Sequence, residues 1–363
     1  MTSHSTYLNT RHFGSLDGLR FLCIAAVLWH HAPGARAYHQ LDILLVRGHL
    51  GVDFFFVLSG FLITTLLLRE DAAKGTISLR GFYWRRSLRI LPVYFLVITL
   101  AGFNDIVLNG ETEKAAILPY YYLFMANFII PEHIGFLHPT WSLAMEEQYY
   151  LIWPLLLLLL PRRAIVPVLL GLIAVNVIAA MGLFSYVGIT AVTVGDLRFS
   201  IGGATYAPIL MGSLVAVILQ SRRGFDAIAP LLQHKAAPWL CLAFLIFILS
   251  SLPKVLEGLP NLLIHTVMCL ILITLVVRED NGLAGLMKLR LIARIGQISY
   301  GIYLYHLFAR GAVVPVSMAT GLDNFWLVLV AYSVLSIIVA ELSFRFFESR
   351  FLALRHKKAE TVS

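Results

Sequence analysis

Two polar residues of the first apolar segment have the spacing of one helical face. Arg20 and His31 are eleven residues apart in LDGLRFLCIAAVLWHHAPG, which runs from Leu16 to Gly34. In an α-helix this spacing brings the two side chains to about 20° of each other, with an axial rise of about 16 Å. A guanidinium binds phosphates and an imidazole accepts protons, so the pair is a candidate functional site. His30 lies about 80° away from Arg20 and is the weaker candidate for this face.

Two aspartates lie near the starts of apolar segments. Asp17 is placed to cap or charge-stabilise the start of the first helix. Asp53 lies in GVDFFFVLSGFLI, beside glycines that allow close helix packing. Because a charge inside a membrane is costly, Asp53 is a candidate functional residue. Simpler interpretations stay open: Asp53 as a helix cap, Arg20 as a side chain reaching lipid phosphates, and His31 as an interfacial residue.

Arg86 and Arg89 are three residues apart in FYWRRSLRILP and therefore share a helical face. Such a pair can bind phosphates through bidentate hydrogen bonds. The same pattern is also typical of the positive charges that anchor a span on its cytoplasmic side. Spacing alone does not separate these two interpretations.

Adjacent carboxylates begin an apolar stretch in HPTWSLAMEEQYYLIWPL. Glu146 and Glu147 are 100° apart on a helix, so at most one of them faces the same polar interior as His31. A carboxylate beside an imidazole raises its basicity and selects its tautomer, as a general base requires. The alternative is an ordinary enrichment of Glu at a helix start. Trp141 and Gln148 of the same stretch could shape a cavity.

The late segment ISYGIYLYHLF carries further hydrogen-bond donors. They could stabilise an oxyanion, or they could be ordinary interfacial residues. The sequence contains no cluster with metal-ligand spacing, no phosphate-binding glycine loop and no serine nucleophile motif, so no permanently bound metal or cofactor is expected. The donors in question are Tyr300, Tyr303, Tyr305 and His306.

The composition indicates that these residues lie in a membrane protein. Of 363 residues, 59% are hydrophobic and only 13% are charged, which excludes an ordinary soluble domain, a disordered chain and a disulfide scaffold. Ten segments are long enough to cross about 30 Å of hydrocarbon. They lie near residues 17–34, 50–68, 90–107, 142–160, 164–184, 204–220, 236–252, 260–277, 295–315 and 324–344.

An eleventh apolar stretch, near residues 115–130, contains a proline, an asparagine and three consecutive tyrosines, so we predict a re-entrant or interfacial element there. With ten spans and both termini cytoplasmic, 22 of the 28 Lys and Arg residues fall on the cytoplasmic side. The net charge of +8 is therefore a topology signal, and no nucleic-acid partner is expected. The prediction is an all-α integral membrane domain at 1–350 with a cytoplasmic tail at 351–363.

Five motifs, in order, resemble the acyltransferase-3 family of membrane O-acyltransferases. They are LDGLR with ten residues between Arg20 and His31, GVDFFFVLSGFLI, RRSLR followed by ILP, WSLAMEEQYYLIWP and ISYGIYLYHLF. The resemblance covers essentially the whole chain. By position, Arg20 and His31 match the family's Arg-x10-His motif, Arg86 and Arg89 match its Arg-x-x-Arg motif, and Glu146 matches the first Glu of its WSLxxEEQ-like run.

The resemblance implies that the chain moves an acyl group, usually acetyl, from cytoplasmic acetyl-CoA to a hydroxyl of a carbohydrate. Arg20, Arg86 and Arg89 would bind the nucleotide phosphates. His31 would abstract the hydroxyl proton and Glu146 would orient the imidazole, with an acetyl-histidine intermediate as the variant. Supporting positions are expected at Asp17, Asp53, Trp141, Gln148 and His306.

The expected acceptor is a saccharide or lipid-linked saccharide met at the bacterial inner membrane, where membrane lipids surround the protein. The periplasmic hydrolase-like domain that many relatives carry is expected to be absent, because the chain ends about twenty residues after its last predicted span. Two other functions remain open. A polytopic glycolipid transporter or flippase would also have ten spans with a few intramembrane charges. A non-catalytic partner in polysaccharide assembly is the third possibility.

Overall fold

The computed structural model describes residues 3–33, 47–129, 134–188, 191–200, 206–252 and 258–357. Parts of several predictions lie outside these residues: the last residue of the first span, the last residue of the interfacial segment, residues 204–205 of the sixth span, and the tail beyond residue 357. The chain divides into two compact units. The first comprises Met1–Ile77, Leu156–Thr190 and Ile201–Gln297, and the second comprises Ser78–Leu155, Ala191–Ser200 and Ile298–Ser363.

Fourteen α-helices carry most of the described chain. In order they are α1 (His4–Asn9), α2 (Ser15–His30), α3 (Leu50–Lys74), α4 (Leu79–Gly102), α5 (Thr140–Leu159), α6 (Arg162–Ala180), α7 (Ala207–Gln220), α8 (Arg222–Leu232), α9 (Ala237–Ser251), α10 (Leu259–Val276), α11 (Arg290–Gln297), α12 (Ser299–Thr320), α13 (Phe325–Ser343) and α14 (Ser349–Lys357). Two shorter α-helices, Leu118–Tyr122 and Ala284–Met287, lie between them.

In the first unit, glycines bring α3 and α7 into backbone contact. A Cβ atom added at Gly60 would lie 1.9 Å from the carbonyl oxygen of Ile209, and one added at Gly212 would lie 2.0 Å from that of Val57. No side chain fits in this space. Small residues at such crossings let membrane helices pack closely where the hydrophobic effect gives little drive.

The start of α2 is held in the same way against α11. A Cβ atom added at Gly296 would lie 1.8 Å from the carbonyl oxygen of Asp17. The other end of α2 is set by sequence: the helix ends at His30, three residues before Pro33, because proline disfavours helical backbone before it and lacks an N–H donor. Close packing therefore fixes the start of α2, near Arg20. The proline that follows ends the helix beside His31.

The second unit contains α4, most of α5, and α12 to α14. Its α4 starts with a side-chain cap, in which Ser78 Oγ accepts a hydrogen bond from Gly81 N at 3.3 Å. Beyond Gly102 the helix continues as a π-helical turn over Phe103–Leu108. This long element carries Arg86 and Arg89 in its second and third turns.

The predicted interfacial segment forms no continuous helix in its described part. It consists of a short 3-10 helix at Thr112–Ala116, the α-helix Leu118–Tyr122 and a 3-10 turn at Ala126–Phe128. Tyr94 of α4 holds the segment by donating a hydrogen bond to the carbonyl oxygen of Tyr121 at 2.9 Å. None of these pieces is long enough to cross a bilayer. Its position relative to the membrane remains a prediction.

The structure agrees with the all-α prediction and adds one short β-hairpin that the sequence analysis did not predict. Strands β1 (Ala191–Val194) and β2 (Leu197–Ser200) pair antiparallel in the connection between the fifth and sixth predicted spans. Gly195, with φ of 57°, provides the left-handed backbone that the two-residue turn needs. Alternating Val and Thr residues followed by Gly-Asp form a short hairpin signal that hydropathy averaging does not detect.

Each of the ten predicted spans coincides with a helix, although boundaries differ. The ninth span was predicted at 295–315. In the structure the helix is interrupted at Ile298, which separates the short polar α11 from the long α12. Among the described residues, six helical stretches are long and apolar enough to span a membrane, and there are seven if α8 and α9, bent by 79°, are counted together as one span. The chain is therefore a largely helical membrane protein. The total of ten spans and the side of both termini remain predictions.

Candidate functional site

The predicted site residues form separate groups in the two units. In the first unit, Asp17 binds Arg20: Arg20 Nη1 donates to Asp17 Oδ1 at 2.7 Å. The other carboxylate oxygen accepts from Gln297 Nε2 at 3.1 Å and lies 3.4 Å from His12 Nε2. The Asp17 side chain is 5% exposed and that of Arg20 is 23% exposed. A buried carboxylate thus holds a partly exposed guanidinium in place, which is the geometry of a positioned anion-binding group.

His31 is the residue immediately after the last residue of α2. Its Nδ1 is 3.0 Å from the carbonyl oxygen of Val27, one turn earlier. A carbonyl only accepts hydrogen bonds, so Nδ1 carries the proton and Nε2 is the basic nitrogen. The ring of His30 lies edge-on to that of His31, with centroids 5.0 Å apart. The helix itself therefore selects the His31 tautomer.

Asp53 lies in the first turn of α3 but makes no side-chain cap for that helix. Its Oδ2 instead accepts a hydrogen bond from His265 Nε2 of α10 at 3.0 Å. His265 is 1% exposed. This long-range pair favours the interpretation of Asp53 as an ionisable intramembrane group over that of a cap.

In the second unit, Tyr150 connects Arg86 with Glu146. The guanidinium of Arg86 lies 4.3 Å from the centroid of the Tyr150 ring, a cation–π arrangement. The hydroxyl of the same tyrosine donates a hydrogen bond to Glu146 Oε1. Arg86 is half-buried, whereas Arg89, one turn later on α4, is exposed. The two arginines of the Arg-x-x-Arg pair therefore differ in burial, and Arg86 is the one in contact with the Tyr150 ring.

Gln148 ties α5 to the interfacial segment. Its Nε2 donates to Asn127 Oδ1 at 2.9 Å and to the carbonyl oxygen of Phe124 at 2.8 Å. Phe124 has φ of 55°, which is uncommon for a residue other than glycine. Trp141 lies about two turns earlier on α5 and is partly buried. Gln148 thus stabilises an unusual backbone rather than pointing only to solvent.

His306 is fully buried on α12. Its Nδ1 donates to the carbonyl oxygen of Tyr303, at 2.6 Å. Tyr303 in turn donates to the carbonyl oxygen of Pro139 at 2.7 Å, and its hydroxyl is also 2.7 Å from Ser142 Oγ. These bonds fix the start of α5 against α12. Tyr303 therefore has a structural role, because its hydroxyl links α12 to the start of α5.

In the described part of the chain, no group of metal-ligating side chains marks the predicted residues. Within the described chain, no three or more His, Cys, Asp or Glu side chains are grouped so that they could hold a metal ion. A cavity of about 530 Å³ lies between α1 and α8, lined by residues such as His4 and Phe225. It contains none of the predicted site residues.

The sequence analysis did not identify three residues that form contacts with the predicted site residues. Tyr150 lies four residues after Glu146, so helical spacing could have identified it. Gln297 and His265 are 280 and 212 residues from their aspartate partners, and no local pattern predicts such contacts. The sequence feature that could have identified His265 is a single histidine within an apolar span.

Comparison of this sequence with known proteins finds the same family that the five motifs resemble. The acyltransferase domain model of the acyltransferase-3 family matches residues 13–344. The peptidoglycan O-acetyltransferase OatA of Listeria monocytogenes is 30% identical over 95% of this chain and 56% of its own length. A putative O-acetyltransferase of Staphylococcus aureus is 28% identical over 95% of this chain and 58% of its own. A putative peptidoglycan O-acetyltransferase of Bacillus subtilis, YrhL, is 29% identical over 93% and 54%, respectively.

The chain thus spans between 54% and 58% of the length of these relatives. No solved structure matches it significantly. The domain match extends from Phe13, two residues before α2, to Phe344 at the end of α13, and so includes every predicted site residue. On this evidence the chain belongs to the acyltransferase-3 family.

Proposed function

We propose that the protein is a membrane O-acetyltransferase that moves an acetyl group from cytoplasmic acetyl-CoA to a hydroxyl of a cell-envelope saccharide. Family membership and the names of the relatives support O-acetylation. Because two of these relatives are named for peptidoglycan, the glycan strand of peptidoglycan is the first acceptor to test. The bacterial inner membrane is the proposed location, since it is in contact with both substrates.

The geometry of His31 is the observation that carries this proposal. With the proton on Nδ1, Nε2 is the basic nitrogen that would accept the proton of an attacking hydroxyl. The hydroxyl oxygen then forms a bond to the thioester carbonyl carbon, the carbon–sulfur bond breaks, and the thiolate of CoA takes up a proton. Transfer through an acetyl-histidine is a second route with the same overall balance.

Three arginines are proposed to bind the phosphates of acetyl-CoA, which is a substrate rather than a resident cofactor. Arg20 is oriented by Asp17, and Arg86 is oriented by the Tyr150 ring. Both side chains therefore lose little conformational freedom when they bind an anion. Arg89 is exposed and would add a third positive charge.

Glu146 receives the second catalytic role in this proposal, as the carboxylate that stabilises positive charge on the imidazole. Its hydrogen bond from Tyr150 holds one oxygen in place. Asp17, Asp53, Trp141, Gln148 and His306 are proposed as positioning residues.

The test is acetyl transfer from radiolabelled acetyl-CoA, with membranes that contain the full chain and with purified peptidoglycan glycan fragments as the acceptor. Membranes without the protein are the control. We expect label on the glycan as an alkali-labile ester. We also expect Arg86→Ala to raise the KM for acetyl-CoA. Absence of transfer to any envelope saccharide would contradict the proposal and favour the transporter alternative, which a glycolipid translocation assay would then test.

A further inference from the structure

The buried His265 and the partly buried Asp53 form an ionisable pair that the proposed mechanism leaves without a specific task. Asp53 is in the first turn of α3, and His265 is in the second turn of α10. His265 Nε2 donates to Asp53 Oδ2 at 3.0 Å, and the His265 side chain is 2% exposed. A carboxylate that accepts from one ring nitrogen fixes the neutral tautomer and leaves a lone pair on the other.

That other nitrogen makes the pair more than a link between two helices. Nδ1 of His265 is buried and has no hydrogen-bond partner in the part of the chain that the structure describes. A link between α3 and α10 would need only the Nε2 bond. A buried acceptor without a donor is unfavourable and calls for an explanation, and a ligand that supplies the donor is one such explanation.

The surroundings favour a neutral hydroxyl as that ligand. Asp53 puts a negative charge beside the imidazole, which disfavours the phosphates of a nucleotide. Both residues are also near the starts of α3 and α10, which are the outer ends of these helices in the predicted topology. This is the side on which an exported saccharide would be found.

We propose that His265 Nδ1 accepts a hydrogen bond from a hydroxyl of the acceptor saccharide, while Asp53 holds the imidazole in the required tautomer. This inference rests on the proposed O-acetyltransferase function. It adds an acceptor-binding residue in α10, a helix to which the motifs assigned no role.

Two isosteres of His265 separate binding from structure. In His265→Gln the amide nitrogen replaces Nε2 and can still donate to Asp53, but the acceptor at Nδ1 is lost. In His265→Asn the amide oxygen lies near the Nδ1 position, but the bond to Asp53 is lost. With full-length protein in membranes, radiolabelled acetyl-CoA and peptidoglycan glycan fragments, the KM values for both substrates are measured, together with protein abundance.

We expect His265→Gln to accumulate like the wild type, to raise the KM for the glycan fragments about tenfold, the effect of one lost hydrogen bond, and to leave the KM for acetyl-CoA within twofold. His265→Asn should affect the KM for the glycan less but reduce abundance or thermal stability. An unchanged glycan KM in His265→Gln would overturn the proposal and leave the pair as a helix link. Equal rises in both KM values would also overturn it.

A second variant keeps the test decisive if His265→Gln does not accumulate. Asp53→Asn replaces the carboxylate with an amide that can donate as well as accept, so the proton of His265 is no longer held on Nε2. It should raise the KM for the glycan more than that for acetyl-CoA, and an unchanged ratio of the two would overturn the proposal. Failure of the wild type to label any saccharide would contradict the O-acetyltransferase function itself, which is a distinguishable result.

Discussion

At the scale of single residues, the structure provides fixed partners for several of the groups on which the proposed chemistry depends. Arg20 is held by a buried carboxylate, His31 by a carbonyl of its own helix, and Glu146 by a tyrosine hydroxyl. Pre-set side chains lose less entropy when they bind or react. Substitutions that keep charge or size but remove geometry are therefore the most informative.

Arg20→Lys keeps the positive charge but loses the planar fork that can bind Asp17 and a phosphate together. We expect the KM for acetyl-CoA to rise about tenfold with little change in protein abundance. The matched control is Arg11→Lys, because Arg11 is exposed and lies outside α2. An acetyl-CoA KM in Arg20→Lys equal to that in the control would show that Arg20 serves only as a topology anchor.

Glu146→Gln and Glu147→Gln separate the two adjacent carboxylates. If Glu146 stabilises the developing imidazolium, its amide should lower kcat by at least about tenfold, less than the roughly hundredfold or more that a general acid–base group itself contributes. The neighbouring substitution should keep most of the activity, because its side chain points about 100° away. Equal losses in the two variants would argue against a specific role for Glu146.

At the scale of elements, close backbone packing rather than hydrophobic burial holds the crossing of α3 and α7. Gly60 lies where a Cβ atom would meet the carbonyl oxygen of Ile209 at 1.9 Å. The connection of α2 to α11 follows the same principle. Helices that carry site residues are therefore held by glycines that bear no chemistry themselves.

Gly60→Ala should destabilise the protein, because the added methyl group meets a backbone atom that cannot rotate away. We expect a loss of about 1–3 kcal/mol, the typical cost of overpacking, seen as a lower unfolding temperature in detergent. Gly171→Ala in α6 is the control, since a Cβ atom there has no neighbour within 4 Å. This control should be neutral or slightly stabilising, because alanine is the better helix former. Similar melting of both variants would contradict this explanation of the crossing.

At the scale of the whole molecule, hydropathy and charge predicted the helical positions, and the motifs predicted the family. Long apolar runs are sufficient to locate helices, because the membrane allows few other structures. The break at Ile298 and the hairpin at residues 191–200 were missed because both depend on short local signals. Partner contacts such as Asp17 with Gln297 were missed because only the folded chain brings those residues together.

The membrane topology is testable on intact cells with a membrane-impermeant thiol reagent. In a variant whose native cysteines Cys23, Cys241 and Cys269 are replaced by serine, we expect Glu113→Cys to be labelled from outside. Lys74→Cys should be labelled only after the cells are permeabilised, because the predicted connection there is cytoplasmic. External labelling at position 74, or protection at position 113, would contradict the predicted number or orientation of the spans that precede that position.

The central claim is that His31 is the general base of acetyl transfer. The most direct measurement is the rate of transfer from radiolabelled acetyl-CoA to peptidoglycan glycan fragments by membranes that contain equal amounts of the wild type, His31→Ala or His30→Ala. We predict a loss of at least about a hundredfold for His31→Ala, in the range of a missing general base, and near wild-type activity for His30→Ala. Equal activity of His31→Ala and the wild type would contradict the account.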